Sequence, residues 1–242
     1  MKELNLHLGQ GTTGPTVLRT GDAEKIDQPK PIVIIGRLSA PFDFLEHKNH
    51  EDQYNAKHCH LIIDRHAGQI VLHANEKSSL SEDVITGCLA PHEDLLEWGI
   101  NTEKRWTVRD FIKFIRARKY FFAEGSENLA LIENLQKWNV TVERIIKEEN
   151  NNTGNSLSSL ETKVTKALEK TQFKLDIPIY HGYNKCKFVV EIGLDPKSTS
   201  VDLFLVSPEL HELVQIERDR IFREELAKFD KLGFQCSRVN IS

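Results

Sequence analysis

An α+β fold follows from three patterns in this chain. The first is strict alternation over residues 58–75, HCHLIIDRHAGQIVLHAN, which separates Cys59, Leu61 and Ile63 from His58, His60 and Asp64. Successive strand side chains point to opposite faces, so the segment is a hairpin with one wholly apolar face. The second is helical apolar spacing over residues 107–120 and 126–149. The third is a long charged segment after Ser207-Pro208-Glu209, flanked by β-rich runs. The architecture expected is two antiparallel β regions separated by an α-helical hairpin, with a long C-terminal helix.

In order, residues 1–31 are rich in Gly, Thr, Asp and Pro and read as an extended arm or edge strand, with a short β segment at 17–19. The β-branched run 32–38 is a strand begun just after Pro31. Ala40-Pro41 turns the chain into a short segment, 42–47, and residues 47–57 are polar and loop-like. If residues 65–68 form the hairpin turn, Asp64 pairs with Gln69 and His60 lies opposite His73. A further strand at 84–89 completes a small, mostly antiparallel sheet.

Helices follow at 92–98 and 107–120. In the second, Thr107 and Asp110 have capping-box spacing, and Val108, Phe111, Ile112 and Ile115 form one apolar stripe. Leu131, Leu135, Trp138, Val142 and Ile145 then make a narrow coiled-coil-type seam. Residues 150–156 break it, and 157–170 resume the spacing, which completes an αα-hairpin. Next come a strand at 173–180, placed at a sheet edge because Pro178 cannot donate to a ladder, and a hairpin of 187–194 with 201–206. A helix to about Asp230, a stop at Gly233 and a strand at 234–241 end the chain. The regions are 1–31, 32–122, 123–170 and 171–242, with 32–242 able to fold as one body.

Composition narrows the function. A hydrophobic fraction of 39% supports a core, and a formal charge of −4 gives no global field for wrapping nucleic acid, which leaves only a local basic patch. The cysteines at 59, 88, 186 and 236 form no C-x-x-C pair, and Cys59 and Cys88 read as core-facing. No apolar leader and no membrane-length run is present, so a cytoplasmic protein without membrane association is expected. There is no G-x-S-x-G elbow, no P-loop and no strand-linked G-x-G-x-x-G.

Two clusters carry chemistry. His58, His60 and His73 on one sheet face could hold zinc or another divalent metal and leave a position for water, with Asp64 orienting one ring. The bland reading is a solvated or subunit-facing surface. The other cluster combines Arg109, Lys113, Arg116, Arg118 and Lys119 with Trp106, Tyr120 and Phe121. Charges on phosphates and rings stacked on bases are how single-stranded nucleic acid is held. Here the bland reading is an amphipathic helix with core aromatics and solvated cations.

The order of several short motifs resembles the YfdQ-like proteins of phages and prophages, a family of unknown function. They are residues 18–23 (LRTGDA), Gly36 with Leu38, Ala40-Pro41 and Phe44-Leu45, residues 173–182 (FKLDIPIYHG), and residues 203–208 before a long helix. The resemblance implies an intracellular phage or prophage product, in the host cytoplasm, and transfers no catalytic residue. The expectation is a non-enzymatic binding protein contacting nucleic acid through the basic helix. The alternatives are a metal-dependent enzyme at His58, His60 and His73, and an oligomeric scaffold or inhibitor of a host or phage protein. A homo-oligomer would form through Leu131, Trp138 and Ile145 or through the exposed hairpin face.

Overall fold

A computed structural model describes residues 30–49, 54, 56–75, 82–151, 163, 168, 171–197, 200–231 and 237–241. The arm with its β segment at 17–19, most of the 150–156 breaker and 157–170 helix, and Gly233 lie outside the described residues.

Strand β1 (Val33–Arg37) forms where β-branched residues follow Pro31. Helix α1 (Ala40–Asn49) begins with Pro41 in its first turn, where proline's missing N–H costs nothing. Ser39 and Asp43 lock that start through a 2.8 Å hydrogen bond from Oγ to Oδ2. The hairpin of β2 (Cys59–Asp64) and β3 (Gln69–Ala74) has the expected register, with Asp64 opposite Gln69 and His60 opposite His73. Strand β4 (Asp83–Cys88) pairs antiparallel to β3.

The first sheet is antiparallel in two of the three pairings among β1 to β4, as expected. Its order is β1-β4-β3-β2-β9, and both outer pairings, β1 with β4 and β2 with β9 (Ser237–Ile241), are parallel. Each edge strand is reached through intervening helix, as a parallel crossover requires. The second sheet is antiparallel in the order β5-β8-β7-β6: β5 (Trp106–Thr107), β8 (Val201–Val206), β7 (Lys185–Pro196) and β6 (Gln172–Pro178). Pro178 ends an edge strand, as its missing donor demands. The sheets cut across the division into 32–122 and 171–242, because β9 joins the first and β5 joins the second.

Helices α2 (Glu93–Trp98), α3 (Val108–Ala117) and α4 (Gly125–Asn151) contact the second sheet, α2 and α4 at β6 and α3 at β5 and β8. Helix α5 (Leu210–Lys231) follows β8. Its Phe229 meets Phe42 of α1 edge-on at 5.6 Å. One apolar cluster runs from Leu38 to Phe229 through both sheets. Gly87 permits the crossing of β4 beneath α1, since a Cβ there would lie 2.6 Å from the Leu38 carbonyl oxygen.

The α4 seam is buried within this chain: Leu131 and Trp138 are 0% and 2% exposed. Leu131 and Trp138 are therefore not the oligomer contacts expected of them, while Ile145 at the far end of the seam is half-buried. Cys59 is buried as expected, but Cys88 faces the opposite side of its sheet and is only half-buried.

Candidate nucleic-acid interface

Helix α3 starts at Thr107, whose extended backbone and hydroxyl cap it. The Asp110 N–H donates to Thr107 Oγ1 at 3.1 Å, and Oγ1 donates to Asp110 Oδ2 at 2.8 Å. The Thr107 hydroxyl, then Lys113, holds the Asp110 carboxyl below the usual carboxylate range. With Val108, Phe111 and Ile115 buried, the helix is fixed in rotation, so Arg109, Lys113 and Arg116 share one exposed face.

Helix α4 packs alongside and converts that face into one wall of a groove of about 560 Å³. Gln136, Asn139 and Val140 form the other wall, and Ile112 lies between. The groove thus offers three cations and two side-chain amides, donors suited to phosphate oxygens. Lys113 also contacts Asp110 at 3.3 Å, an exposed pair that competes weakly with an external anion. Toward β8 the surface turns acidic, where Glu143 and Asp202 line an adjoining hollow with Arg109 and Asn139.

Other members of the expected cluster point elsewhere. Arg118 pairs with Glu97 of α2 and covers the Phe114 ring at 4.1 Å. Trp106 packs on Phe114 at 4.5 Å, and Lys104 Nζ caps its ring at 3.9 Å. Burial pushes the Lys104 ammonium pKa down, against Glu97, which raises it. Trp106 is therefore no platform for a base. Phe121 is buried, while Tyr120 is 61% exposed beyond the end of α3. Near it are exposed Lys119 and Lys185, whose Nζ donates to the Tyr120 carbonyl at 3.3 Å.

Gln136, Asn139 and Lys185 were not singled out in the sequence. The spacing of Gln136 and Asn139, flanking the buried Trp138 on its solvent side, was the available signal.

On the first sheet, His60 and His73 stack with ring centroids 4.6 Å apart and planes 1° from parallel. Imidazole lone pairs lie in the ring plane, so cofacial rings aim them side by side and not at one point. His73 Nδ1 is 2.7 Å from Glu82 Oε1. His58 closes a 3-10 turn, Ala56–His58, ahead of β2, and is not on the strand where it was expected. Among the described residues no three His, Cys, Asp or Glu side chains are grouped to hold a metal ion. Burial, then the neighbouring His73, lowers the His60 pKa from its ordinary value.

No family model, curated protein or solved structure matches this chain. Among the described residues no helix is long and apolar enough to cross a membrane.

Proposed function

We propose that this protein binds single-stranded nucleic acid through the groove between α3 and α4, holding phosphates and carrying out no catalysis. The observation that carries this reading is the alignment of Arg109, Lys113 and Arg116 on one exposed wall, facing Gln136 and Asn139. Net charge is negative, so attraction comes from this local field and not from the whole molecule. Tyr120 and Lys119 extend the contact past the helix end, where an exposed ring can take one base. The order of motifs resembling YfdQ-like proteins supports a phage or prophage product acting in the host cytoplasm.

Fluorescence anisotropy of a labelled single-stranded oligonucleotide tests the reading. Three phosphate contacts on a single strand give a slope of about −2 in log K against log salt. Affinity that is absent at low salt, or present but flat across the salt series, overturns it.

A further inference from the structure

The two faces of the first sheet are treated very differently. Cys59, Leu61, Ile63, Ile70, Leu72 and Ile85 are buried on the inner face, with α1 against β3 and β4 and α5 against α1. On the outer face no described strand position is buried. Yet this face is not polar. Its middle row runs Ile35, Thr86, Val71, Ile62, Val239 across all five strands, each opposite the next in register. Val33 and Ile35 are 70% and 75% exposed. A continuous β-branched row is the surface that sheet-on-sheet packing uses.

We infer that this outer face is a homodimer interface, on which a second copy of the chain packs sheet against sheet. Size supports the occupant. Five strands span roughly 24 Å and five residues roughly 17 Å, a footprint on the order of 400 Å² per copy. The accessible area of a corrugated face exceeds its footprint, which brings two copies near the roughly 1,000 Å² that a specific interface needs.

The polar positions beside the row support the same occupant. Above the middle row lie His60 and His73, and below it lie Asp64 and Gln69. A two-fold axis along the middle row sets apolar row on apolar row. It also places each copy's His60 over the other's Asp64, and each His73 over the other's Gln69. The polar positions of the two central strands β2 and β3 are then matched across the axis, as a two-fold interface requires, while Val33 meets Arg37 only at its edge. The imidazole pair, unsuited to a shared metal, becomes one polar rim of an apolar strip.

Sedimentation velocity on the full chain, over a concentration series, tests this. The wild type sediments as a dimer that dissociates on dilution. Val71→Glu places a charge at the centre of the strip, and Ile35→Lys places one on an edge strand where the core is untouched. Each weakens dimerisation at least about tenfold with an unchanged circular dichroism spectrum. Leu129→Lys, an exposed apolar site on α4, leaves it unchanged. A wild type that stays monomeric at about 100 μM, or a dimer indifferent to Ile35→Lys, overturns the inference. A monomer whose outer face is nevertheless protected from hydrogen exchange assigns the cover to this chain itself and overturns it equally.

Discussion

His60 and His73 face each other across the first hairpin as parallel rings 4.6 Å apart. Partial burial, then the neighbouring His73, makes the His60 ring resist charge in the folded state. Between the lowered folded pKa and the unfolded value near 6.5, the unfolded chain therefore binds more protons. Stability should be complete above pH 6.5 and should fall as pH drops through that window. Urea titrations at pH 8 and pH 5 measure it. His60→Gln should reduce the difference, and an unchanged difference contradicts the assignment.

Arg118 and Arg116 should separate stability from binding. Arg118 joins Glu97 and covers Phe114, so Arg118→Ala should cost roughly 1 kcal/mol while leaving oligonucleotide affinity unchanged. Arg116→Ala, on the open groove wall, should weaken affinity with little effect on Tm. The reverse pattern would return Arg118 to the interface.

Asn101 joins the end of α2 to the end of β8. Its Nδ2 donates to the Ser207 carbonyl at 2.8 Å, and the Ser207 N–H donates to its Oδ1 at 2.9 Å. It also holds φ of 58°, a region asparagine tolerates better than most residues. Asn101→Ala should lose both bonds and strain the backbone, costing about 2–3 kcal/mol. Asn101→Gly should recover part of that loss by relieving the backbone alone. Thermal melts of the two variants compare them directly, and equal loss removes the backbone component.

Trp138 is a core residue and not an oligomer contact. Trp138→Ala should cost about 3–5 kcal/mol in chemical denaturation. Its sedimentation behaviour under folding conditions should match the wild type. Loss of a dimer with little loss of stability would restore the seam as a subunit surface.

Much of this was legible in residues because local rules and burial agreed. The β2–β3 register followed from alternation and a four-residue turn, and the α3 cap from Thr107 and Asp110. The partner of each apolar stripe was not legible. The α4 seam has coiled-coil spacing whether it meets another chain or α3, and only the tertiary arrangement chose α3. The parallel β9 pairing joins residues far apart in sequence, so no local pattern announces it. The basic cluster read as one stripe because sequence proximity ignores direction. Burial of Phe111 and Ile115 fixed the helix rotation, which turned Arg118 toward Glu97 and left Arg109, Lys113 and Arg116 outward. The hairpin's second face read as a histidine face because the hairpin was considered alone. Five strands side by side make its middle row apolar.

The groove itself is tested most directly by reversing its charge. Arg109→Glu, Lys113→Glu and Arg116→Glu together leave the α3 core stripe intact, so the fold should persist by circular dichroism and melting. Anisotropy with a labelled single-stranded oligonucleotide at low salt should then show binding by the wild type and at least about a hundredfold loss in the triple variant. Equal affinity of the two folded proteins contradicts the α3–α4 groove as the nucleic-acid site.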